Sequence, residues 1–138
     1  MATEQGAGTA GQGDEALRAL VEGYRQAFEK RDVEACAGFF AEDATLKFLF
    51  GTYDGRPAIA DWHKDRFAAD VKILRLDGVA VNGDTVIAQL VVTSRRLRQV
   101  RMDQVKGTAT FRVEQGLFKE TVLSARKGAP SHLDWQFR

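Results

Sequence analysis

The apolar residues of this chain repeat at two different periods, and the switch between them falls close to Asp70. Before it, Leu17, Leu20, Val21, Tyr24 and Phe28 recur at three- and four-residue steps. Val33, Cys36, Ala37 and Phe40 do the same, and so do Ile59, Trp62, His63, Arg66 and Phe67. Each set marks one face of a helix. Beyond Asp70 the period becomes two, which is the signature of half-buried strands over 71–81, 85–97, 104–114 and 117–125. Asn82-Gly83 and Gln115-Gly116 provide the turns between strands. An earlier strand is expected over 45–50, with a turn over 51–55 and Pro57 in the first turn of the third helix. Three helices followed by a run of long antiparallel strands predict an α+β fold, with the helices packed on one curved sheet.

The 138 residues suit one domain with a single core. Residues 1–13 hold no large apolar side chain beyond Met1 and read as a disordered tail. Residues 14–128 form the domain, and 129–138 a C-terminal tail. Within the first tail, Gly6-Ala7-Gly8-Thr9-Ala10-Gly11 matches a dinucleotide-binding glycine pattern in letters only, because no strand precedes it. A net charge of +1 recruits neither nucleic acid nor a membrane. No apolar run approaches the ~20 residues needed to span a bilayer, and the N-terminus has no signal-peptide pattern. One cysteine, Cys36, excludes an intrachain disulfide and fits a cytoplasmic protein. Cys36, His63 and His132 have no metal-ligand spacing, and no phosphate-binding Gly-x-x-x-x-Gly-Lys-Ser/Thr element occurs, so neither metal nor organic cofactor is expected.

Tyr24, Ala27, Asp32, Phe40, Asp43-Ala44-Thr45, Tyr53-x-Gly55, Ile59, Trp62 and Phe111-x-Val113-x-x-Gly116 occur in an order and spacing that resembles the nuclear transport factor 2-like superfamily. That group includes ketosteroid isomerase and the SnoaL-like polyketide cyclases. The resemblance implies a cone-shaped α+β barrel around an apolar pocket, a small apolar or cyclic ligand, and a homodimer paired through the outer sheet faces. It aligns Tyr24 with the isomerase's oxyanion tyrosine. The isomerase's general base falls on Phe48, and its protonated acid on or near Ala109. Two of three catalytic groups are thus missing, which argues against steroid isomerisation. The Asp-Arg-Asp arrangement of limonene-epoxide hydrolase is echoed only by Arg101-Met102-Asp103, close to Gly107.

Three residues remain as candidates for proton transfer. Tyr24 lies on the apolar stripe of its helix and reads either as a pocket donor or as a core tyrosine. His63 lies four residues from both Ile59 and Phe67, as an acid/base group or a satisfied core histidine. Glu120 shares parity with Phe118 if no bulge intervenes, and faces solvent if one does. The expected ligand walls are Phe28, Phe48, Trp62, Phe67, Ala109 and Phe111, with Tyr24 and His63. Arg95, Arg96, Arg98, Arg101 and Lys106 crowd the meeting of two strands, either as an anion grip or as a charged edge. Two readings of function stay open. One is a cofactor-independent isomerase, cyclase or dehydratase acting on a cyclic or polyketide-like molecule, and the other is a non-catalytic binding or dimeric interaction module.

Overall fold

Leu17, Val21, Tyr24, Ala27 and Phe28 are all buried along one side of the first helix, α1 (Ala2–Glu29), as their spacing requires. A computed structural model describes residues 2–49 and 51–125, with side chains from 13 to 124. Helix α1 reaches back to Ala2, whereas the sequence reading begins it at Asp14. Once a helix is nucleated, each added residue gains an i to i−4 hydrogen bond without any apolar burial. The expected C-terminal tail lies outside the described residues.

Helix α1 ends where Arg31 turns left-handed, φ 57°, letting the Asp32 amide bond back to the Ala27 carbonyl. Asp32 then caps α2 (Val33–Gly38), its carboxylate accepting from the Ala35 amide at 3.0 Å. Gly23 on α1 admits the Phe39 ring, which a Cβ there would meet at 3.0 Å. The chain extends at once into β1 (Phe40–Phe48), earlier than the predicted start at Thr45. The predicted turn after it is itself a short strand, β2 (Gly51–Asp54), paired with β1. Helix α3 (Arg56–Ala68) follows, with Pro57 in its first turn.

The remaining strands are β3 (Lys72–Asn82), β4 (Thr85–Thr93), β5 (Val105–Glu114) and β6 (Leu117–Ala125). Together they make a six-stranded sheet in the order β2-β1-β6-β5-β4-β3. Every neighbouring pair is antiparallel except β1 with β6, which is parallel. The Gln115-Gly116 loop has positive φ at both residues, as a twisted two-residue hairpin favours. The expected long strand over 85–97 is shorter, because Ser94 caps a fourth helix, α4 (Arg95–Gln99). The arginine-rich stretch therefore begins on a helical turn and not on a strand end.

One irregularity decides the fate of Glu120. Arg112 pairs with Glu120 but Val113 pairs with Phe118, so Lys119 is an extra residue on β6. Phe118 and Thr121 are accordingly both buried, and Glu120 turns outward. The core lies between the inner sheet face (Leu46, Val86, Ala88, Ala109, Phe111, Phe118) and the buried stripes of α1 and α3.

Candidate functional site

Helices α1 and α3 do not fill the space over the sheet. They leave a cavity of about 310 Å³, at the lower end of the ~300–1,000 Å³ usual for ligand pockets. Its walls are mostly apolar. Val21, Tyr24 and Phe28 come from α1, Trp62 and Arg66 from α3, and Ala88, Ala109 and Phe111 from β4 and β5. Phe48 and Leu123 add to the wall, and Ser94, Arg96 and Leu97 contribute from the α4 side.

Tyr24 meets this space from within an aromatic shell. Its ring stands 5.6–6.0 Å, centroid to centroid, from Phe28, Phe39, Phe40, His63, Phe111 and Phe118. Its hydroxyl lies 2.6 Å from His63 Nε2. On the other side of the imidazole, Nδ1 lies 2.8 Å from the Ile59 carbonyl, one helical turn back. A carbonyl oxygen only accepts, so Nδ1 carries the proton and Nε2 is bare. Tyr24 therefore donates to His63. Burial pushes the Tyr24 hydroxyl well above the usual tyrosine range. Burial also lowers the His63 pKa to about 4, against the pull of the Ile59 carbonyl. Both groups are neutral at neutral pH, and the proton between them has a defined donor and acceptor.

His63 is fully buried behind Tyr24 and is not part of the cavity wall, contrary to the sequence reading. Phe67 is likewise packed away from the cavity, against Phe28 at 4.8 Å. The reason is a matter of helix phase. Ile59, His63 and Phe67 do form one stack, but the cavity-facing stripe of α3 lies one residue earlier, at Trp62 and Arg66. Phe28, Phe48, Trp62, Ala109 and Phe111 line the cavity as expected. Glu120 does not: its side chain is 60% exposed on the outer face beside Arg112, because the extra residue at Lys119 reverses its parity.

Of the arginines on the wall, Arg96 belongs to the basic cluster read as an anion grip or a charged edge, whereas Arg25 and Arg66 were missed as site residues. Arg66 places its guanidinium carbon 5.0 Å from the Phe48 ring centre and 5.6 Å from that of Trp62. The Trp62 indole N–H and the Arg66 Nε–H are both buried without a hydrogen-bond partner among the described residues. Leaving a buried donor unpaired costs on the order of 1–3 kcal/mol. Arg25, also on the wall, is held by Glu22 and Glu29. Among the described residues no aspartate or glutamate lines the cavity. The Trp62-x-x-x-Arg66 spacing was the one available signal for this pair. Cys36 is no nucleophile in this setting, since burial pushes its thiol up to about 12. Among the described residues no three His, Cys, Asp or Glu side chains converge as a metal site. No described helix is long and apolar enough to cross a membrane.

The architecture is thus an apolar hollow between helices and a curved sheet, with a tyrosine on its wall. The family model of the SnoaL-like domain matches residues 21–121, and the chain belongs to that family, within the nuclear transport factor 2-like superfamily. A candidate polyketide cyclase from Xanthomonas campestris pv. campestris superposes with TM-score 0.71 at 22% identity, covering 91% of this chain and 99% of that one. A candidate ketosteroid isomerase from Kribbella flavida DSM 17836 gives 0.70 at 17% identity, covering 85% and 82%. SalBIII, an epoxide hydrolase/cyclase-like enzyme of pyran ring formation in salinomycin, gives 0.68 at 20% identity, covering 80% and 90%. At these identities the likeness establishes the cone-shaped fold and nothing finer. No curated protein matches the chain.

Proposed function

We propose that the protein takes a small cyclic or polyketide-like molecule into the cavity and acts on it by cofactor-independent proton transfer through Tyr24 and His63. The observation that carries this reading is the 2.6 Å bond from the wall tyrosine to a histidine sheltered behind it. With its own proton directed at His63, Tyr24 has lone pairs left to receive a substrate proton. As that proton arrives, the tyrosine proton passes to Nε2. The substrate becomes its conjugate anion and His63 an imidazolium. Burial disfavours the cation alone, but an anion forming beside it in the same low-dielectric space offsets that penalty. Return of the proton to a different atom completes an isomerisation or cyclisation. The cyclase names carried by two of the structural neighbours favour this class.

A second reading, a non-catalytic binding module, is favoured by the lack of any wall carboxylate among the described residues. Deuterium uptake by cyclic ketones in heavy-water buffer, followed by NMR, separates the two. Uptake faster than buffer and lost in Tyr24→Phe supports the proton-transfer reading. Binding with no uptake supports the module. Uptake unchanged in both Tyr24→Phe and His63→Phe overturns the mechanism. The same proposal has the protein working in the cytoplasm as a homodimer, with Leu74 and Val122, 48% and 41% exposed, offering apolar area for pairing. Sedimentation as a monomer at high concentration counts against the dimer.

A further inference from the structure

Among the described residues most arginines have an acceptor. Arg25 is held by Glu22 and Glu29, Arg31 and Arg98 by Asp70, Arg56 by the Phe40 carbonyl, and Arg95 by the Ala68 carbonyl. Among the described residues, Arg66 and Arg96 have neither a carboxylate nor a carbonyl bonded to the guanidinium, and both line the cavity. Arg66 is not loose, since its guanidinium lies over the faces of Phe48 and Trp62, whose rings are 5.4 Å apart. Beside it the indole N–H of Trp62, a residue only 4% exposed, is equally without an acceptor. A positioned cation and an adjacent neutral donor, both unsatisfied and both on an apolar wall without acid, make a matched receptor for a planar anion.

We infer that the ligand carries a carboxylate, bound by Arg66 and the Trp62 indole N–H, on an apolar cyclic or acyl body that occupies the hollow toward Ala88 and Ala109. This rests on the reading that the cavity is the ligand site. Arg66 acts as the specificity-determining residue, and Arg96 adds a second cation from the α4 side of the cavity. A carboxylate accepts from Arg66 and Trp62 together, whereas an ester or amide of the same body brings no charge to the guanidinium. Apolar acids are thus separated from neutral molecules of the same shape.

Calorimetric titration of the full chain with cyclohexylacetate and with cyclohexylacetamide tests this. The wild type is expected to prefer the acid by about tenfold or more, as a hydrogen bond to a charged group provides. Arg66→Gln is expected to remove that preference while leaving the amide's affinity in place, and Arg66→Lys to restore part of it. Circular dichroism of each variant guards against loss of fold. Equal binding of acid and amide by the wild type, or a preference that survives Arg66→Gln, overturns the inference while leaving the pocket reading intact. Ala109→Phe fills the cavity and is expected to block both probes. If both bind undiminished to Ala109→Phe, or neither binds the wild type, the cavity is not their site and both readings fall together.

Discussion

Two polar pairs, one joining α1 to α3 through Tyr24 and His63 and the other within α3 at Trp62 and Arg66, differ in every respect that matters for function. In the Tyr24–His63 pair each polar atom has a partner, the order of protons is fixed, and aromatic rings pack around the pair. In the Trp62–Arg66 pair two buried donors have no partner among the described residues, although the Trp62 and His63 rings are only 4.9 Å apart. A satisfied network rigidifies its surroundings, while an unsatisfied one costs free energy until something supplies the missing acceptor. The first pair is thus complete without a ligand, and the second becomes complete only with one. Helix phase alone produces the contrast, by turning position 63 toward Tyr24 and position 66 toward the hollow.

The two pairs separate most clearly in kinetics. If the complete pair moves the proton, Tyr24→Phe and His63→Phe each lower turnover by about 100-fold or more. The double variant is expected to be little worse than either single one, because the two groups act as one relay. Additive losses in a double-mutant cycle would show that they do not act together.

Next in size is the response to acid. Above neutral pH the His63 imidazole is neutral folded or unfolded, and its titration adds nothing. As pH falls through ~6.5 the unfolded chain takes up a proton, which the folded chain resists until about pH 4. Stability is therefore lost across that window. At about 1.4 kcal/mol per tenfold of proton affinity, the gap from the ordinary value to about 4 amounts to about 3 kcal/mol. Urea midpoints measured across the window should fall steeply for wild type and much less for His63→Phe. Tyr24 acts in the mirror sense. Its raised pKa means that stability is lost as pH rises past ~10.

The sign of the third effect is where the two pairs part. Tyr24→Phe strands the His63 Nε2 acceptor in an apolar shell and is expected to cost on the order of 1–3 kcal/mol. Arg66→Met removes a buried donor that lacks a partner and keeps an adaptable apolar stem over Phe48. Without ligand it should be neutral or stabilising by up to about 1 kcal/mol. Thermal unfolding of the two variants side by side reads both signs. A large loss from Arg66→Met would mean that the guanidinium is structural, and the contrast would collapse.

Legibility followed the range of each signal. The helical stripes and the tight hairpins came from spacings within a few residues, where local geometry governs, whereas the cone-shaped fold came from the family resemblance. Tyr24, Phe28 and Trp62 reach the cavity wall from helical stripes read in the sequence, and Phe48, Ala109 and Phe111 from positions the resemblance implied. What failed depends on small rotations that no short pattern carries. Choosing between Trp62/Arg66 and His63/Phe67 as the inward stripe requires knowing how α3 is rolled against α1 and the sheet. All four belong to one apolar-looking side of the helix, and one residue is a rotation of ~100°. The fourth helix, hidden in an arginine-rich stretch, was obscured for a different reason: Ser94 is a cap only if the strand before it ends, and alternation continuing through Leu97 hid that end.

Glu120 confines the comparison to the inner wall and carries the smallest expected effect. Its parity with Phe118 would make it a wall acid on a regular strand, and then the cavity would hold the carboxylate base that it lacks. The extra residue at Lys119 prevents this, since Arg112 pairs with Glu120 and Val113 with Phe118. The carboxylate instead meets Arg112 at 3.4 Å on the outer face, an exposed contact of the kind that contributes little to stability. Glu120→Gln is therefore expected to leave deuterium uptake, carboxylate preference and the thermal midpoint unchanged within error. A marked loss of uptake in this variant would show that β6 runs without its bulge in solution, turning the acid inward. The Tyr24–His63 pair would then no longer be the only acid/base pair within reach of the cavity among the described residues, and the division of labour with Trp62–Arg66 would have to be redrawn around three groups.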